Sequence, residues 1–412
     1  MFMIRRTINY SFIFFLFCFL TACGSAGGQE QGAQAPQEDT RKPPVAVSEE
    51  TVQRQTVDTV PDDFGETVSE DVGGDYEETG GEIAFIADGQ IEDGDYNEAI
   101  YEGIQTYAQG AGVSFSCYRT YADGAEGFAE AVERAVADGA GIIICSGYDF
   151  QEAVGMLQDA YPETSFLLLD GVPLDEAGNP VEIADNVHCV SFREEESGYL
   201  AGYLAVLEGY RSLGFIGGRE VPAVIRYGYG YLQGVDDAAR TMALTGVTVH
   251  YWYADSFEPA EKVEETAAAW YTTGTEVIFA CGGSLYESVL KAAEDGDGML
   301  IGVDTDQSVL SERFLTSAVK GLDDAVVISL DDYFAAGRKW SEEFAGQAAR
   351  YGIRERCGGI PVMDTQWRFR HVTMDEYYEM CRQIKRGIVT VSDETDAPPE
   401  VSVVTVDWIQ GD

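Results

Sequence analysis

From residue 81 onward, short apolar runs alternate with amphipathic stretches, and the whole pattern occurs twice in series. Residues 82–87, 113–118, 141–145, 165–169 and 187–192 read as strands, with helices over 96–109, 124–137 and 150–160. Runs rich in Ile, Val and Leu, separated by helical segments, describe a parallel sheet covered on both faces. After a helix near 194–207 the rhythm restarts. Strands fall at 213–216, 247–253, 276–280 and 299–303, and helices near 227–243, 259–271 and 286–293. A long helix over about 324–349 and another over 374–386 follow, and 401–408 alternates like an edge strand. The sequence therefore predicts an α/β protein of two doubly wound parallel-sheet lobes joined by a hinge. Lobe 1 takes residues 81–193 plus about 321–348, and lobe 2 takes 194–320 plus about 349–412. Such lobes set two rows of strand C-termini face to face. Ligands of open α/β sheets bind outside those ends, so the interlobe cleft is the expected site and hinge closure the expected motion.

Residues 1–22 read as an export signal. Arg5 and Arg6 precede a Phe-rich apolar stretch over 11–20, too short for a membrane span of about 20 residues. Leu20-Thr21-Ala22-Cys23 then resembles the lipobox of bacterial lipoproteins, in which the Cys is acylated. Cys23 is thus the candidate lipidation site, attaching the chain to the extracytoplasmic face of the membrane without spanning it. An ordinary signal peptide with an incidental Cys is the plainer alternative. Residues 23–80 read as a flexible tether. Between Gln29 and Gly80 there are 14 acidic residues against 3 basic ones, with too little apolar surface to offset ordering entropy.

Charge narrows the function. With 26 Lys+Arg against 72 Asp+Glu, the chain carries −46, which excludes a nucleic-acid partner because phosphate binding needs a basic surface. Three scattered histidines and no C-x-x-C pair leave no metal motif. There is no P-loop, no G-x-S-x-G elbow and no H-E-x-x-H, and hence no cofactor and no catalytic residues to nominate. Gly228, Gly230 and Gly234 approximate a dinucleotide fingerprint, but read better as helix glycines in close packing. In an exported protein Cys357 and Cys381 would be the first pair to test for a disulfide.

An ordered series of motifs resembles the basic membrane lipoprotein family, the purine nucleoside receptor-like substrate-binding proteins of ABC importers. They are Ile86-Ala87-Asp88; Tyr96-Asn97 opening a helix that reaches Gly103; Gly214-Phe215-Ile216-Gly217-Gly218; Ala280-Cys281-Gly282-Gly283; Ile301-Gly302-Val303-Asp304-Thr305-Asp306-Gln307; and Leu315-Thr316-Ser317-Ala318-Val319-Lys320. The resemblance covers most of residues 82–390. Tyr96 stands where the family usually has Phe, and the turn after Gly283 lacks the usual Thr-Gly. The resemblance implies the type I periplasmic-binding-protein fold, no chemistry, a nucleoside ligand (inosine, guanosine or adenosine), an ABC permease as partner, and a monomer.

It also implies roles. Tyr96 and Phe257 would sandwich the base, since base–aromatic stacking contributes on the order of 1–3 kcal/mol. Asn97 would read a purine edge with its donor and acceptor. Asp88 and Asp304 would accept from the ribose diol in charge-assisted bonds. Lys320 would donate to the terminal hydroxyl and balance those carboxylates, which would be costly unpaired. Gly283 belongs to the ligand turn, Glu152 falls near the base, and Asp306 suits a supporting or capping role. Plainer roles stay open: core packing for Phe257, helix-end hydrogen bonding for Tyr96 and Asn97, and an interlobe salt bridge for Lys320. Two other functions stay open as well, a small-molecule sensor reporting to a signalling protein and a nucleoside hydrolase using Asp88 and Asp304.

Overall fold

The computed structural model describes residues 78–87, 91, 96–120, 124–363 and 366–409. The export signal, Cys23, nearly all of the tether and Asp88 lie outside the described residues. The first half alternates β1 (Ile83–Ile86), α1 (Tyr96–Ala111), β2 (Phe115–Tyr118), α2 (Gly124–Ala137), β3 (Ile142–Ser146), α3 (Gln151–Ala160), β4 (Ser165–Leu169) and β5 (Val187–Phe192). The second half repeats the pattern with α4 (Glu194–Glu208), β6 (Ser212–Gly217), α5 (Pro222–Thr241), β7 (Thr248–Tyr253), α6 (Glu261–Thr273), β8 (Val277–Cys281), α7 (Tyr286–Gly296), β9 (Met299–Asp304) and β10 (Phe314–Lys320). The remainder is α8 (Leu322–Ala335), β11 (Gln347–Tyr351), β12 (Gly358–Gly359), α9 (Met374–Lys385) and β13 (Thr405–Trp408).

Two sheets result, ordered β11-β5-β4-β3-β1-β2 and β12-β10-β9-β8-β6-β7-β13. Their neighbours pair in parallel except β10 with β12. Strands β1, β3 and β4, and likewise β8, are buried along their whole length, as continuous apolar runs between two helical layers require. In each sheet the winding reverses beside the first strand, between β1 and β3 and between β6 and β8. There the flanking loops part and leave a crevice at the strand C-termini. The helix glycines are packing residues: a Cβ on Gly230 or Gly234 of α5 would stand 2.2 or 2.1 Å from a carbonyl oxygen of α4.

The chain differs from expectation after residue 320. The long helix expected over 324–349 ends at Ala335, because Gly337 and Arg338 take left-handed backbone, φ 85° and 65°. Trp340 and Phe344 then pack on His188, and β11 pairs with β5 at the edge of the first sheet. The boundary expected near 348–349 therefore falls inside a strand of the first sheet, and the chain returns to the second only after Tyr351. The disulfide considered between Cys357 and Cys381 is not formed. Both are buried free thiols, Cys357 in the core of the first sheet and Cys381 on the buried face of α9 in that of the second.

Candidate functional site

Residues at the C-terminal ends of both sheets enclose a cavity of about 650 Å³. Tyr96, Asn97, Phe257, Gly283, Asp304 and Lys320 all line it. Glu152 does not. A 3₁₀ turn, Tyr148–Phe150, precedes α3, so Tyr148 and Asp149 occupy the cavity wall while Glu152 lies further along the helix.

The aromatic wall is built on glycine. Phe257 packs its Cδ1–Cε1 edge against Gly218 and Gly282, where an added Cβ would stand 2.3 and 2.8 Å from Cδ1. Such separations leave no room for a side chain, so Gly218 and Gly282, just after β6 and β8, seat this ring. Gly283 is also left-handed, φ 52°, and a Cβ there would meet the Phe257 carbonyl oxygen at 2.9 Å. On the other sheet, Tyr96 and Asn97 open α1. The Oγ of Ser146, the last residue of β3, donates to Asn97 Oδ1 at 2.9 Å and fixes that amide.

The floor is ionic. Asp304 ends β9 and Asp170 follows β4, both in left-handed backbone, φ 60° and 58°, a conformation that Asp tolerates better than most residues. Lys320 ends β10 and sits 2.8 Å from Asp170 Oδ2, 3.5 Å from Asp304 Oδ1 and 3.6 Å from Glu194 Oε1. Arg226 of α5 holds the other oxygen of Glu194 at 2.6 Å, and Tyr227 donates to Asp304 Oδ1 at 3.1 Å. Burial alone would lower the Lys320 pKa, but Asp170, Asp304 and Glu194 outweigh it and hold the ammonium well above the ordinary lysine value. Burial likewise works to raise Glu194, yet Lys320 and Arg226 keep it below the usual carboxylate value. Asp170 stays raised, because its burial outweighs the lysine. Its Oδ1 has no hydrogen-bond partner among the described residues.

The Lys320–Asp170 pair joins the second sheet to the first. So does the α5 N-terminus: its cap residue, Val221, has no side-chain acceptor, and the Ala223 N–H donates instead to Tyr148 Oη at 3.2 Å. The motif around Asp304 supports this floor. Gln307 folds back so that its Oε1 accepts from Val303 N at 3.2 Å, over Gly302, which has no room for a Cβ. Asp306 caps the 3₁₀ turn after it by accepting from Ser308 N.

Sequence reasoning missed Asp170, Glu194, Arg226, Tyr148 and Arg219. Asp170 carries the same signal as Asp304, an Asp directly after an apolar strand. The ion pair of Glu194 with Arg226 joins two different helices and leaves no pattern in the chain. Among the described residues no group of three or more His, Cys, Asp or Glu side chains is placed to hold a metal.

A family model described as ABC transporter substrate-binding protein PnrA-like matches residues 81–393. Basic membrane protein B of Borreliella burgdorferi is 27% identical over 292 residues, spanning 68% of this chain and 80% of that protein. The ABC transporter nucleoside-binding protein BmpA of Lactococcus lactis subsp. cremoris is 27% identical over 241 residues, 56% of this chain and 65% of that protein. An ABC transporter solute-binding protein from Conexibacter woesei aligns with a TM-score of 0.59 over 76% of this chain and 98% of that one, at 19% identity, a likeness of fold.

Proposed function

The chain belongs to the PnrA-like family of ABC transporter substrate-binding proteins, and from that premise we propose that it captures a purine nucleoside in its cleft and delivers it to an ABC import permease. Its fold is that of the type I periplasmic solute-binding proteins. The observation that carries the proposal is the convergence of Tyr96, Asn97, Phe257, Gly283, Asp304 and Lys320 on one cavity. Aromatic rings suit the base, and buried carboxylates suit the hydroxyls of a sugar. The floor sets Asp170, Glu194 and Asp304 against Lys320 and Arg226, so an uncharged ligand leaves the balance intact and a phosphate adds unwanted charge. Domain movement about the crossovers would close the lobes on the ligand.

Anchoring follows from Leu20-Thr21-Ala22-Cys23: acylation of Cys23 would tether a monomer to the outer face of the cell membrane through the acidic leader. No helix of the described residues is long and apolar enough to cross a membrane. The role is capture and transfer, without catalysis.

The test is to denature protein purified from cells, identify the released small molecule by mass spectrometry, and titrate refolded protein calorimetrically. Guanosine, inosine or adenosine should bind more tightly than cytidine or uridine, and GMP far more weakly than guanosine. GMP binding as tight as guanosine, or equal binding of pyrimidine nucleosides, would refute the ligand assignment.

A further inference from the structure

Arg219 follows Gly217 and Gly218 at the end of β6 and lines the cavity at its solvent-exposed edge. Its guanidinium carbon stands 4.5 Å from the centroid of the Phe257 ring, over the ring face. Gly218 and Gly282 pin that ring along one edge and Arg219 lies over its face, and both side chains line the cavity.

The charges around the cavity single this arginine out. Asp149, Asp170, Glu258, Glu287 and Asp304 line it, against Arg219 and Lys320. Lys320 is committed to three carboxylates. The Arg219 guanidinium makes no hydrogen bond or ion pair with any described residue; its contact is the Phe257 face. Among the described lining residues it is therefore the cation with uncommitted donors. Ionised carboxylates cannot donate, so acceptor atoms on a ligand base find few partners in this wall other than Arg219.

The guanidinium is a rigid fork of N–H donors, matched to two adjacent acceptors. A 6-oxopurine presents such a pair, O6 and N7, whereas adenine presents N7 beside an N6 amino donor. A base that stacks on Phe257 takes over the ring face and leaves the guanidinium at the base's rim. We propose that Arg219 is a specificity-determining residue of the cleft, reading the O6–N7 edge of a 6-oxopurine and favouring guanosine and inosine over adenosine. The proposal rests on the nucleoside reading given above.

Calorimetry on refolded, ligand-free wild type, Arg219→Met and Arg219→Lys tests it. The Met variant keeps the apolar contact with Phe257 and removes the donors; the Lys variant keeps the charge and removes the fork. Wild type should bind guanosine and inosine about tenfold or more tightly than adenosine. Arg219→Met should bring that ratio to within about twofold through loss of guanosine affinity, and Arg219→Lys should fall between. 7-Deazaguanosine, lacking N7, should bind wild type more weakly than guanosine and bind Arg219→Met equally well. A guanosine-to-adenosine ratio unchanged by Arg219→Met, or a loss shared equally by both, overturns the assignment of Arg219 alone. A wild type that binds no nucleoside brings down the nucleoside reading with it.

Discussion

Replacing Lys320 with Met should reveal the ionic floor as the electrostatic keystone of the cleft. The ammonium lies 2.8, 3.5 and 3.6 Å from Asp170, Asp304 and Glu194, and the Lys320 and Asp170 side chains are each only 4% exposed. At an effective dielectric of about 20, each contact corresponds to roughly 5–6 kcal/mol of Coulomb attraction, much of it offset by the desolvation of the charges. Removing one partner of a buried pair typically costs about 3–5 kcal/mol, and here it leaves three carboxylates facing Arg226 alone. Lys320→Met should therefore lose about 3–5 kcal/mol at pH 7.5 in urea unfolding of ligand-free protein. The pH dependence has a definite sign. Asp170 is already raised by burial, and loss of the lysine raises it further. A raised carboxylate stabilises fully below its unfolded value and loses that contribution as pH rises through the folded one. The deficit of the variant should thus shrink on acidification. Adding Asp170→Asn should recover part of the loss at pH 7.5, because it removes one of the uncompensated charges. A single variant within about 0.5 kcal/mol of wild type, or a deficit that stays constant between pH 5 and 8, would refute the reasoning.

Tyr148→Phe removes the acceptor for the α5 N-terminal N–H and should weaken ligand affinity by roughly two- to tenfold, while small-angle scattering of ligand-free protein shows a larger radius of gyration; unchanged scattering and affinity would count against a latch across the cleft. His188 is buried, its Nδ1 faces the Phe344 carbonyl oxygen at 3.0 Å, and burial holds its pKa down at about 4 from 6.5. A lowered histidine stabilises above its unfolded value and loses that contribution as pH falls, so between pH 6.5 and 4 the protein should lose at most about 3 kcal/mol through this residue. His188→Gln, which can still donate to Phe344 but does not titrate, should lose less than wild type over that window in parallel urea titrations; identical pH profiles would exclude the assignment.

The strands buried on both faces were legible because their sequences permit little else: Ile142–Ser146 and Ser165–Leu169 are continuous apolar runs of strand length. The edge strand β11 was not. Gln347–Tyr351 reads Gln-Ala-Ala-Arg-Tyr, a good helical sequence that is exposed over its first two residues, and it becomes a strand only because β5 offers an open edge beside it. The helix expected across it failed for the same reason, since local propensity was the only signal available. The edge strand expected near the C-terminus exists as β13, paired in parallel with β7.

The site divides along similar lines. Tyr96, Asn97, Phe257, Gly283, Asp304 and Lys320 were nominated through the family resemblance, helped for Gly283, Asp304 and Lys320 by their places at a glycine turn and strand ends, whereas the setting of Lys320 left no mark in sequence. A donor to a sugar hydroxyl and an interlobe salt bridge were alternative readings of one residue. The lysine makes the second through Asp170 and still lines the cavity, so the salt bridge does not remove it from the candidate site. This has a consequence for the proposed ligand. Of the buried floor carboxylates, Asp170 and Glu194 each keep an oxygen without a hydrogen bond among the described residues, and of the two it is Asp170 whose carboxyl burial holds above the usual value, so the Asp170 oxygen is the one a ligand donor would relieve. A neutral ligand rich in hydroxyl donors could supply that bond on entering, and would at the same time strengthen the lysine pair by keeping Asp170 ionised. Ligand capture and lobe closure would then draw on the same three side chains, Asp170, Asp304 and Lys320, so that a ligand lacking donors should fail to close the cleft even where its base stacks well.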